Sequence, residues 1–336
     1  MRHGYPRSQM SARARVVTVV ALAAAAAAAA TVGITLLQTR GERTTSPGAV
    51  GRPRAGAPPL MLDFGTRADA QARSLARAAA LYGKGRRTAA AAVFSRFSSL
   101  DARIGSAFAA WPRGSLEDVK RLVASHPHSA LAVLHLGLAY YWSGRNGDAV
   151  AAWRRAEALQ PDTPFALDAE SLLYAGRTLP DRPPFVPPYG APQKLRRLAA
   201  GAQLAALARA AARPDVRAKI LYGVALQRLG HALSAERQFA AAAALAPRDP
   251  VAQAAAAVGR FTKAHPERAF GRLGPLTATF PRAAVVRFHL GLLLFWTLQR
   301  RKGAEQMRLA VSDNPGSVYA KEARAFLARL ASSGTK

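Results

Sequence analysis

The sequence predicts an all-α chain, a superhelix of helix–turn–helix units of the α-solenoid kind. Three observations predict it. First, one pattern recurs: Leu136-Gly137, Tyr140, Ala149, Trp153, Ala156 and Pro161; then Tyr222-Gly223, Leu226, Ala235, Phe239, Ala242 and Pro247; then Leu290-Gly291, Leu294, Gly303, Met307, Ala310 and Pro315. Counted from 130, 216 and 284, these residues hold the same places in a unit of 34, with glycine and proline 24 apart. Second, no run of alternating polar and apolar residues persists, so strands are not expected. Third, hydrophobic residues make up 50% of the 336 residues and aromatics only 7%, as when alanine supplies the apolar faces of helices.

The spacing has a physical cause. Within a unit, small residues on two antiparallel helices let the backbones approach, and a large side chain fills the wedge beside them. Gly137 opposite Ala149 and Ala156, with Trp153 and Tyr140 alongside, fits that rule. Pro161 has no N–H to continue the helix and ends it. One unit cannot bury its own apolar face, so neighbouring units must stack.

In period and residue order these units resemble the tetratricopeptide repeat. The resemblance covers about 96–317. Stepping back 34 residues from Ala130 gives a block at 96–129, whose second helix fits through Val119, Leu122 and Pro127 while Arg103 takes the glycine position. Residues 164–215 number 34 plus 18, and the surplus falls at 177–194, where Pro180, Pro183, Pro184, Pro187, Pro188 and Pro192 crowd together. This is one unit with a proline-rich insertion between its helices, expected to be extended and exposed. The block 250–283 fills the frame, with Pro275 set to kink its second helix. Residues 61–95 read as an N-terminal helical cap, and 318–336 as a capping helix and tail.

Ahead of the array, residues 1–15 form a basic tail. Val16–Leu37 carries no charge across 22 residues and includes the alanine run Ala23–Ala30. As a helix it would reach about 33 Å, enough to cross a bilayer. It reads as a transmembrane signal-anchor, with cleavage near Ala30 as the alternative. The expected location is therefore the cytoplasmic membrane, single-pass, with the repeats outside the cytoplasm. Residues 38–60, rich in Gly, Pro, Thr and Arg, read as a flexible linker.

The net charge of +29 invites a nucleic-acid or anionic-lipid reading. Only eight of the 48 basic residues are lysine, and the arginine excess beside abundant alanine is what a GC-rich coding bias produces. The basic residues are scattered rather than interleaved with aromatics as a stacking platform. There is no cysteine, hence no thiolate chemistry. Gly83-Lys84-Gly85 lacks the spacing of a phosphate loop, His126 and His128 have no third ligand nearby, and no serine sits in a nucleophile elbow. No cofactor, metal or catalytic residue is expected.

The resemblance implies a ligand surface on the first helix of each unit. Carried onto this chain, it comprises Leu134, Leu138, Tyr141 and Trp142 from one unit, and Arg217, Val224 and Arg228 from the next. The last supplies Phe288, Leu292, Phe295 and Trp296. The expected function is a membrane-anchored, non-catalytic scaffold that binds a protein or peptide partner. The alternative is a basic surface that binds anionic lipid, polymer or nucleic acid. For the paired aromatics the sequence leaves two readings open: exposed ligand contacts, or core covered by the N-terminal helices or the proline-rich insertion.

Overall fold

The computed structural model describes residues 51–333, and among these every extended element is a helix, beside one isolated bridge between Ala175 and Thr178. The helices pair along the chain: α1 (Ala70–Gly83) with α2 (Arg87–Phe94), α3 (Leu100–Ala109) with α4 (Ser115–Ser125), and α5 (Ala130–Trp142) with α6 (Asn146–Leu159). After α7 (Pro164–Leu173) come the proline-rich insertion, a single turn α8 (Gln193–Arg196) and α9 (Ala200–Ala211). Pairing resumes with α10 (Val216–Arg228) and α11 (Ala232–Leu245). Next, α12 (Pro250–Gly259) packs on a second helix broken at Gly274-Pro275 into α13 (Glu267–Leu273) and α14 (Leu276–Thr279). The last pair is α15 (Ala284–Trp296) with α16 (Arg300–Asp313), closed by α17 (Val318–Ser333). These are helix–turn–helix units, and where the sequence expects a kink, Gly274 and Pro275 keep helical backbone angles between the two short helices.

Local chemistry sets the frame. Ser129, Thr163, Asp215 and Asp249 cap α5, α7, α10 and α12 by accepting a backbone N–H from the first turn. They fall 34 residues apart within each pair, and Ser317, two steps beyond Asp249, accepts from Ala320 N at the start of α17. Each such cap stabilises a helix start by about 1 kcal/mol. Within the units, a Cβ on Gly137 would lie 2.3 Å from the Trp153 indole nitrogen, and one on Gly223 2.5 Å from the Phe239 ring. Glycine at these places admits the ring that the same unit supplies sixteen residues later.

The turn between the two helices of a unit needs a left-handed residue. Gly144 and Gly230 provide it at φ +79° and +75°, but the third position is Leu298 at φ +61°. A branched side chain there strains the backbone by about 1–2 kcal/mol. Leu298 is exposed, so its side chain contributes little burial. Leu298→Gly is therefore expected to raise unfolding stability by about 1 kcal/mol in urea titration. An unchanged or lower midpoint would show that the turn is not strained.

The buried apolar residues form two separate cores. One runs from Leu75 to Ala169, the other from Phe185 to Phe326, and no residue belongs to both. Each half contains three helix pairs and a closing helix, α7 in the first and α17 in the second. The seam between them is polar. The Asp162 carboxylate accepts the N–H groups of Leu233 and Ser234 at the start of α11, plus the Ser234 hydroxyl at 2.6 Å. Glu170, buried on α7, holds Arg182 Nε at 2.8 Å and Lys263 N at 2.7 Å, while Lys263 Nζ reaches Ser171 Oγ at 2.7 Å.

Two expectations are corrected. The single-pass membrane location does not stand: among the described residues no helix is long and apolar enough to cross a membrane. The most apolar helices, α5 and α15, have 13 residues each, which at 1.5 Å per residue is about 20 Å. The stretch 16–37, read as the span, lies outside the described residues. The linker reading of 38–60 also fails where the chain is described. Residues 51–60 lie against the array, with Gly51 N on Gly144 O at 2.8 Å and Arg54 N on Trp142 O at 2.8 Å.

Candidate functional site

The face formed by the first helices is covered at two places by extended chain. Residues 51–62, here strap one, run along α5. Arg54 N donates to Trp142 O, and its guanidinium reaches Tyr141 O and Asn146 Oδ1 while lying 3.3 Å over the Tyr141 ring. Tyr82 OH donates to Pro58 O at 2.6 Å, and Met61 N donates to His135 Nε2 at 3.2 Å. Residues 179–189, strap two, run along α15. Leu179 N donates to Trp296 O at 2.9 Å, and Trp296 Nε1 donates to Pro180 O at 3.1 Å. Phe185 N donates to Gln227 Oε1 at 2.9 Å, Val186 N to His289 Nε2 at 3.0 Å, and Tyr319 OH to Val186 O at 3.0 Å.

The two straps share one register. From the amide on the tryptophan carbonyl to the amide on the histidine ring is seven residues in each, Arg54 to Met61 and Leu179 to Val186. Two residues into each span stands a left-handed residue, Gly56 at φ +79° and Asp181 at φ +56°. Then follow Pro58-Pro59-Leu60-Met61 and Pro183-Pro184-Phe185-Val186. Paired prolines hold the backbone extended and remove N–H groups that would otherwise be buried without partners.

The histidines are suited to this task. His135 and His289 are fully buried and donate from Nδ1 to the carbonyls of Leu131 and Val285, each at 2.8 Å. That bond fixes the tautomer and leaves Nε2 as an acceptor for the strap amide. Burial pushes both imidazoles down to about 4, against a smaller upward pull from the same carbonyl bond. Both rings therefore stay neutral at ordinary pH. Sequence reasoning passed over them, although His-Leu-Gly-Leu at 135–138 and again at 289–292 was the available signal.

The residues expected to form the ligand surface divide into three groups. Leu134 and Leu138 are fully buried, Tyr141 is buried beneath Arg54, and Trp142 is half-buried beside it. Phe288, Leu292, Phe295 and Trp296 are buried in the second core, with Phe295 turned to Phe326 of α17 at 4.7 Å between ring centres. In the middle, exposed Arg217 lies over the Tyr189 ring at 4.5 Å, while Val224 and Arg228 line a cavity.

That cavity, about 1630 Å³, lies between the straps and is walled by strap one, α7, strap two, α9 and α10. Leu62, Leu167, Leu204 and Val224 give it apolar surface; Arg196, Arg197 and Arg228 bring positive charge, and Asp63, Asp168 and Asp181 negative. Burial, followed by the charges of Asp181 and Asp63, pushes the Asp168 carboxyl up to about 7, with Lys263 opposing. Burial likewise pushes Lys263 down to about 8 against the charge of Glu170. Among the described residues, no three histidine or carboxylate side chains are placed to hold a metal. His126 instead bonds Leu122 O and Ser125 Oγ.

No family model matches the chain, and no curated protein matches it. Among solved structures it is similar to YrrB, described as a tetratricopeptide repeat protein with an unusual peptide-binding site. The identity is 14%, covering 62% of this chain and 99% of that one, with a TM-score of 0.31. A tetratricopeptide repeat protein from Parabacteroides merdae is 14% identical over 76% of this chain and 97% of its own, with a TM-score of 0.30. Yeast Tom70 is 11% identical over 83% and 67%, with a TM-score of 0.31. The chain's own helix pairs and caps, not these likenesses, carry the architecture described above.

Proposed function

We propose that the chain is a non-catalytic scaffold that holds a protein or peptide partner in the middle section of its first-helix face. One observation carries this reading. The face already takes extended polypeptide at both ends, through main-chain bonds to Trp142, Trp296, His135 and His289, while a cavity of about 1630 Å³ stays open between. Pockets for small molecules run to about 300–1,000 Å³, so this space suits a polypeptide segment better than a metabolite. Its apolar floor with charges of both signs favours burial-driven binding over a purely ionic contact.

The test uses affinity capture from native extracts, comparing the unaltered chain with Val224→Glu. The variant places a carboxylate on the cavity floor and is expected to lose the captured protein by tenfold or more, since an unpaired buried charge costs several kcal/mol. The same complex should weaken little between low and moderate salt. Unchanged capture by Val224→Glu, with affinity that collapses as salt rises, would instead support the arginine-rich surface as a binder of polyanions.

A further inference from the structure

The straps differ in how firmly they are seated, and the difference lies at one matched position. In strap two that position is Phe185, 2% exposed, with its ring stacked on His289 at 4.5 Å and 5.6 Å from Phe239. In strap one it is Leu60, only half-buried, followed by half-buried Met61. The aromatic ring that meets His135 comes instead from the array: Phe108 of α3 lies edge-on at 5.0 Å. Phe108 stands nine residues after the helix-start residue Ser99, and the residue nine after Asp249 in α12 is Val258. So α3 brings an aromatic to the first groove, which takes an aliphatic strap residue, whereas the matching place in the second is valine; there His289 meets Phe288 and Tyr319 of the array and the strap's own Phe185.

We propose that the groove on α5 centred on His135 is a binding site for an extended segment of the form Pro-Pro-aliphatic-aliphatic from a partner protein, with residues 58–61 as its resident occupant. The prolines set the extended backbone, the last residue of the four gives its N–H to His135 Nε2, and Phe108 sets the size of the residue before it. Strap two, pinned by Phe185, Gln227 and Tyr319, stays in place as part of the second core. The inference rests on reading the first-helix face as a polypeptide-binding surface. It concerns a different section from the central cavity, so each can fail alone.

The probe is a labelled synthetic peptide with the sequence of residues 52–64, added to the full chain. Leu60→Asp with Met61→Asp loosens strap one without touching the groove. The peptide is expected to bind this variant saturably and at least about tenfold tighter than the unaltered chain, whose groove is filled. Adding His135→Leu should remove about tenfold or more of that affinity. A peptide with phenylalanine at the Leu60 place should bind about tenfold more weakly, and Phe108→Val should restore it. Hydrogen exchange gives a second reading on the unaltered chain: excess peptide should speed exchange of the Arg54 and Met61 amides as the resident segment leaves. The proposal is overturned if the folded loosened chain shows no saturable binding, or if His135→Leu leaves binding unchanged. Should the loosened chain fail to fold, strap amides of the unaltered chain that ignore the peptide overturn it equally.

Discussion

Lowering the pH from neutral to about 4 should cost the chain about 3 kcal/mol at each of His135 and His289. The sign follows from where the proton binds. Folded, each imidazole is held down to about 4 by burial; unfolded, it returns to its ordinary value of 6.5. Above pH 6.5 neither state binds the proton and the contribution to stability is intact. As pH falls below 6.5 the unfolded state takes it up first, so stability is lost progressively until the folded rings protonate near 4. A proton on Nε2 would also turn the acceptor of Met61 N or Val186 N into a donor facing a donor. The check is urea unfolding across this range for the unaltered chain and for His135→Gln with His289→Gln, which keeps an acceptor that does not titrate. Carboxylates affect both proteins alike, so the difference isolates the histidines. Parallel curves would mean that the rings are not buried neutral.

Trp296→Ala should destabilise by about 3–5 kcal/mol, the range for a large side chain removed from a packed core. Trp296 is 4% exposed and its indole N–H also holds Pro180 O, so its loss loosens strap two as well as the core. Trp142 occupies the same place in its own unit, yet is half-buried and gives strap one only its backbone carbonyl. A carbonyl survives substitution, and Trp142→Ala should cost about 1–2 kcal/mol. Thermal unfolding of both variants, with hydrogen exchange at Leu179, separates the cases. Equal costs would contradict the different seating of the two side chains.

Much of the array was legible because its signals are local. A glycine that must admit a ring and a proline that must stop a helix act within a few turns of their neighbours. So the units, the inserted segment and the break near Pro275 could be read along the chain. The straps could not, since Met61 meets His135 and Val186 meets His289 across 74 and 103 residues. A proline-rich composition does not say in which groove it lies: the insertion stands in the sequence only as one possible cover of the paired aromatics, and 38–60 reads as linker. The same long-range contacts explain the candidate site. Leu134, Leu138, Phe288, Leu292 and Trp296 lie on the first helices of their units, but what covers them is decided by residues far away in sequence. Val224, buried in the second core with Phe185, and Arg228 also line the space between the straps.

Stacked helix pairs alone would make a chain that can fray from either end, each pair depending only on its neighbours. The straps change the order in which such a chain completes itself during synthesis. Strap one emerges before any helix it will rest on, and its histidine follows 74 residues later; strap two waits 103 residues for His289 and 133 for Tyr319. At about 5–20 residues per second, Phe185 stays without its groove for roughly 5–20 s after it is made. Until then the second half has helices but no lock, and an apolar proline-rich segment lies open to whatever else is folding nearby. Pausing translation just short of His289 should therefore leave the first half protease-resistant and the second half cleaved within 179–189.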